Sequence, residues 1–211
     1  MRKFFVLLFV SMLLPFTSFA DDVYKAVNSD WILKEAPVVF PMCIGKFIRG
    51  NLIRYNKEET NISIGYNIAQ KDITICATIY VYPAPKVKRY GPFSSKALYS
   101  KILSKQVDEV KKCILYNYKN AKFLSKSTLK KPFKDTKLEG QSAFFEYDCR
   151  FAKRFQRVGS ELYLFIINEK WFLKYRISYP IDQKEKANKF IQQLLQNKLI
   201  VTKLKNKSRK S

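Results

Sequence analysis

Two successive runs of strict alternation constrain this chain more than any other feature. Ile62, Ile64, Tyr66 and Ile68 alternate with Ser63, Gly65 and Asn67, and Ile73, Ile75, Ala77, Ile79 and Val81 then alternate with Thr74, Cys76, Thr78, Tyr80 and Tyr82. Successive side chains of an extended backbone point to opposite faces, so a period of two directs one face into a core and is incompatible with the 3.6-residue period of a helix. The rest of the chain extends the pattern. Val38-Val39-Phe40 is a short extended piece between Pro37 and Pro41, and 44–55 reads as a strand with bends or bulges at Gly45 and Gly50, turned by the polar run 56–61. Three further strands are predicted at 142–151, 160–167 and 170–179. The middle one is apolar on both sides and belongs inside the sheet. Asn168-Glu169 supplies the hairpin turn, with Asn taking a positive φ.

Two segments carry helical spacing instead. Tyr99, Ile102, Leu103, Val107, Val110 and Ile114 recur every three or four residues behind Ser94 and Ser95, which predicts a long helix to about Tyr118. Ala187, Phe190, Ile191, Leu194 and Leu195 form a second stripe, opened by a capping box from Asp182 to Glu185 and closing near Asn197. Between the long helix and the next strand, 119–137 holds seven lysines and one acid, Asp135, and reads as a solvated connection. Segment 21–36 reads as a polar lead-in with a short helix around Trp31, 37–197 as a single domain, and 198–211 as a basic tail. The predicted fold class is α+β: an antiparallel sheet of about six strands packed with one long central helix and a C-terminal helix.

The first 20 residues read as a secretory signal peptide. Arg2 and Lys3 precede the apolar run 4–14, interrupted by Ser11, and Ser18-Phe19-Ala20 is a small-x-small cleavage site that would leave Asp21 as the new N-terminus. That run is about 11 residues against the roughly 20 that span a bilayer, so a soluble periplasmic or secreted domain is expected. Lys and Arg total 40 against 17 Asp and Glu, a net charge of +23 that points to an anionic partner. Such a partner could be an envelope component or protein, with peripheral contact at an anionic membrane surface. Basic charge without an RNA- or DNA-binding motif argues against nucleic acid. Cys43, Cys76, Cys113 and Cys149 all lie in the exported part and are disulfide candidates, with three pairings left open.

The chain contains no histidine, which excludes Ser-His-Asp and Cys-His catalysis and the usual zinc and copper sites; no metal or cofactor is implied. Two catalytic arrangements survive. Ser127 and Lys130 match S-x-x-K, in which a lysine takes the proton of a serine nucleophile, although the companion K-T-G element is missing and lysine is abundant enough to produce the spacing by chance. Glu146 and Asp148 alternate on one strand face and mimic an acid/base carboxylate pair, but ion pairs across the sheet, with Lys174 and Arg176 as partners, explain them as well. For binding, the proline-braced loop 83–93 interleaves Lys86, Lys88 and Arg89 with Tyr90 and Phe93, a combination able to neutralise and stack on an anion.

The order of elements, an antiparallel meander, a long helix, three strands and a helix packed back on the sheet, resembles the PsbP-like α/β sandwich over 37–197. Segments such as Phe40-Pro41, Ile44-Gly45-Lys46-Phe47, Gly65-Tyr66 and Ala77-Thr78-Ile79-Tyr80-Val81-Tyr82-Pro83 also look like those of small exported proteobacterial proteins without an assigned role. The resemblance implies a non-catalytic accessory or binding protein. The expected function is therefore electrostatic docking on an anionic partner, with a histidine-independent hydrolase or a secreted effector as the alternatives.

Overall fold

A computed structural model of the chain describes residues 22–24, 30–33, 36, 38–86, 95–130 and 139–196. The two alternating runs form β6 (Ile62–Gln70) and β7 (Ile73–Pro83), preceded by β5 (Phe47–Arg54) in one antiparallel meander. The chain then leaves the sheet as α1 (Ser95–Asn117) and re-enters at the far edge as β8 (Lys119–Lys130). A second meander returns through β9 (Glu139–Phe151), β10 (Arg154–Ile167) and β11 (Trp171–Pro180), and β11 joins β7. With β1 (Asp22–Tyr24) beyond β5, the strand order is β1-β5-β6-β7-β11-β10-β9-β8, all antiparallel, and β4 (Cys43–Ile44) pairs β5 beside this path. A separate two-stranded sheet pairs β2 (Trp31–Leu33) with β3 (Val38–Phe40). A 3-10 turn, Ile181–Gln183, stands where a capping box was expected and leads into α2 (Lys184–Gln196).

Each face of the main sheet buries its own core, because the interior strands are apolar on both sides. Leu103, Val107, Val110 and Ile114 of α1 pack on Phe145, Tyr147, Val158, Leu162 and Leu164. On the opposite face Ala187, Ile191, Leu194 and Leu195 of α2, together with Leu33, Val38 and Phe40, cover Ile75, Ile79, Leu173, Tyr175 and Ile177. β10 lies between β9 and β11, in the interior, as its two apolar faces require. Gly45 turns β4 into β5 at φ 57°, and the β5–β6 register shifts between Arg49 and Leu52, around Gly50.

Several expectations need correction. Trp31 lies in a strand, where its ring meets Phe40 at 5.8 Å, and segment 21–36 contributes β1 and β2 where a lead-in was expected. The sheet exceeds six strands chiefly because 119–130 is a strand where a solvated connection was expected. Its lysines hid it: an edge strand has few contacts to make, and lysines guard its open side against pairing with other chains. Here Lys111 lies 4.1 Å from the Phe123 ring centroid, and Lys126 binds Asp108 at 2.9 Å. The leader 1–20, the tail 198–211 and positions 87–93 of the basic loop lie outside the described residues.

The β10 strand also begins six residues before the predicted 160, after a two-residue hairpin turn at Ala152 and Lys153. Both turn residues have positive φ, 49° and 70°, as Asn168 and Glu169 do in the next hairpin. Left-handed backbone costs an ordinary residue about 1 kcal/mol or more, and neither Ala nor Lys announces it in a sequence. Lys153→Gly should therefore stabilise the fold by about 1 kcal/mol in urea denaturation. A loss of stability would contradict the strained-turn account.

Candidate functional site

β11 carries two cations at successive positions on the α1 face, Lys174 and Arg176, along an otherwise apolar strand. Side chains two apart on a strand stand about 7 Å from each other, so the two charges share one environment. Lys174 is 4% exposed, and its Nζ sits 4.1 Å from the Tyr80 ring centroid and 5.5 Å from that of Tyr82. Arg176 is half-buried, and its Nη2 donates to the hydroxyls of Tyr118 at 3.1 Å and Tyr147 at 3.0 Å. Those two rings stack at 4.0 Å. Tyr147 continues into Ser178 at 3.4 Å, which donates to Ser160 at 3.2 Å.

Each part follows from local sequence. Tyr80 and Tyr82 come from the polar set of β7's alternation, and Tyr118 directly follows α1, its amide donating to Ile114 O at 3.1 Å. The α1 flank enters through Gln106, which accepts from the Tyr82 hydroxyl at 3.2 Å and donates to Glu109. Beyond α1 the floor opens: Thr78, opposite Arg176, is half-buried, and Cys76, opposite Ser178, is exposed.

The electrostatics are unusual for a sheet interior. Burial, reinforced by the like charge of Arg176 and opposed by Cys113, pulls the Lys174 pKa down to about 7. Burial also works against the Arg176 charge, but the Tyr147, Tyr118 and Tyr80 hydroxyls outweigh it and hold its pKa above the ordinary value. Among the described residues no carboxylate lies within 4 Å of Arg176. Its guanidinium thus presents charge and remaining N–H donors beside an open floor, which suits a carboxylate, phosphate or sulfate group. Burial raises the Cys113 and Cys149 pKa values, with Glu109 adding to the first and Arg176 opposing both, so these thiols stay protonated and poorly nucleophilic at neutral pH.

The structure separates the residues picked from the sequence. Ser127 is exposed on the edge strand β8, and Lys130 is the last residue of the same strand. Glu146 and Asp148 do share a face, but it is the α2 face. Their partner is Arg157 on β10, at 3.3 and 3.2 Å, and the pairing expected with Lys174 and Arg176 is corrected on that ground. Asn120 first, and then Arg157 and Lys119, hold the Asp148 carboxyl below its usual range against desolvation, leaving it unsuited to donate a proton. Lys86 is exposed; Lys88, Arg89 and Tyr90 lie outside the described residues.

All four cysteines are free thiols, exposed at Cys43 and Cys76 and half-buried at Cys113 and Cys149. No group of three or more His, Cys, Asp or Glu capable of holding a metal occurs among the described residues, and no described helix is long and apolar enough to cross a membrane. Sequence reasoning missed the Arg176 site, although two cations at alternate positions within Trp171-Phe172-Leu173-Lys174-Tyr175-Arg176 were its visible sign. No protein family, characterised protein or solved structure matches the chain.

Proposed function

We propose that this is an exported, non-catalytic binding protein that docks on an anionic partner, with Arg176 forming a seat for one anionic group. The observation that carries the reading is Arg176: a half-buried guanidinium held by two phenols, with no carboxylate within 4 Å among the described residues, beside an open stretch of sheet. Holding a guanidinium half-buried is costly, and an anion on the open side of Arg176 would offset that cost. The net charge of +23 adds long-range attraction for such a partner. The engagement of Glu146 and Asp148 by Arg157 favours binding over carboxylate-based hydrolysis. An antiparallel sheet with one helix on each face also supports a PsbP-like sandwich. Thermal melting of the mature protein with phosphate, pyrophosphate and small carboxylates tests the seat. At one hundred times its dissociation constant the preferred anion should add about 3 kcal/mol of stability, and Arg176→Met should abolish the gain. If none of these anions shifts the wild-type melt, or if Arg176→Met responds like wild type, the seat does not exist.

A further inference from the structure

A second cationic feature stands apart from Arg176. The β9–β10 hairpin outgrows both neighbours: β8 begins at Lys119, opposite Asp148, and β11 stops at Pro180, opposite Val158. Residues 149–157 therefore project as a two-stranded finger, about 10 Å past the last paired neighbour. Arg157 braces its root through Asp148 at 3.2 Å, Glu146 at 3.3 Å and the Asn120 carbonyl at 2.9 Å. The finger contains four cations and no acid. Arg150, Lys153 and Arg154 are exposed, and among the described residues none of the three has a carboxylate within 4 Å. Its exposed apolar group is Phe155, 67% accessible and directly opposite Arg150. The last turn of α1 lies at the same end, since Tyr118 stacks on Tyr147 and Lys119 registers with Asp148. It adds Tyr116, 88% accessible, and Leu115, 41% accessible.

We infer that this finger is the element by which the protein meets a lipid bilayer bearing anionic headgroups, with Arg150, Lys153 and Arg154 at the phosphates and Phe155 at the acyl boundary. The inference rests on the proposed attraction to anionic partners but uses none of the Arg176 seat. Three observations favour a bilayer over a folded acidic partner. The element is a narrow, two-stranded projection beyond its neighbours. Its cations lie at the turn and on both faces of the ribbon, so no single face is offered for stereospecific docking. Large apolar side chains stand exposed beside the charges, which suits an interface with an ionic outer layer and a hydrocarbon interior.

Vesicle co-sedimentation of the mature chain provides the test, with one part phosphatidylglycerol to two parts phosphatidylethanolamine against wholly zwitterionic phosphatidylcholine vesicles. The wild type should bind the anionic vesicles selectively. Each surface charge strengthens such binding about fivefold, so Arg150→Ser, Lys153→Ser and Arg154→Ser combined should weaken it about a hundredfold. The positions are exposed, and an unchanged melting curve confirms folding. Phe155→Trp should show a blue-shifted emission when bound, and the triple variant should respond to phosphate in thermal melting as the wild type does, which separates this inference from the seat. Equal binding by the triple variant, no blue shift from the bound Phe155→Trp protein, or indifference of the wild type to anionic vesicles would each overturn it.

Discussion

Lys174→Met is expected to make the protein about 1–4 kcal/mol more stable near pH 7 and to remove a steep pH dependence from its unfolding. Lys174 sits 4% exposed between the rings of Tyr80 and Tyr82, and its pKa falls to about 7 through burial and the neighbouring Arg176, with Cys113 opposing. In the unfolded chain the amine titrates near 10.5. Above that pH both states hold it neutral and stability is unaffected. As pH falls from about 10.5 to 7 the unfolded chain takes up the proton first and gains, so the native state loses about 1.4 kcal/mol per pH unit from this one group. Below about 7 both states are protonated and the loss levels off. The tyrosines bound the window from above. Burial raises the Tyr80, Tyr82, Tyr118 and Tyr175 pKa values, so their contribution is complete below pH 10 and is lost as pH rises further. Urea midpoints from pH 6 to 10 for wild type and Lys174→Met check the claim, since both share every other titration. Parallel curves would show that Lys174 keeps an ordinary pKa.

Gly140→Ala should destabilise the fold by about 3 kcal/mol, the upper end for an overpacked site, lowering the melting temperature by about 10 °C. An added Cβ would meet Phe165 Cδ1 at 2.3 Å, Cε1 at 2.4 Å and Leu164 O at 2.8 Å. Gly140 and Phe165 are partners across β9 and β10, and the fully buried ring lies over the glycine. Neither the ring nor the carbonyl can yield, because Phe165 also packs edge-on against Tyr175 at 6.2 Å. Gly159 repeats the arrangement beneath Tyr179, whose Cε2 would stand 2.8 Å from a new Cβ. Gly65 is the control, since its Cβ would come no nearer than 3.8 Å to the Asn67 amide and Ala should be tolerated. Comparable losses at Gly65 and Gly140 would refute the steric account.

Legibility followed burial. β6, β7, β11 and α1 were readable because each has a wholly apolar stripe, with Ile73, Ile75, Ala77, Ile79 and Val81 all 3% exposed or less. β8 was not, because an edge strand under a lysine-covered flank needs little beyond Phe123 and Leu129 to hold it. The early start of β10 was hidden for a different reason. The Ala152-Lys153 turn bends through positive φ without a residue that favours it, since the long pairing of β9 with β10 supplies the compensating energy. For the candidate site, the types of interaction were foreseeable and the partners were not. Glu146 and Asp148 do form cross-strand ion pairs, but with Arg157.

Period and composition alone established that the chain is α+β, that the strand over 160–167 is apolar on both sides and so lies inside the sheet, and that histidine-dependent chemistry is excluded. These are properties of one segment at a time, and side-chain alternation is a local consequence of backbone geometry. Which strands become neighbours is set by contacts between residues far apart in the chain. β7 meets β11 about 90 residues later, and that pairing places Lys174 over Tyr80 and Tyr82. The face assigned to Arg176, and so its separation from Glu146 and Asp148, depends on register across three strands, where a one-residue slip would exchange the faces. Only the folded sheet resolves that parity.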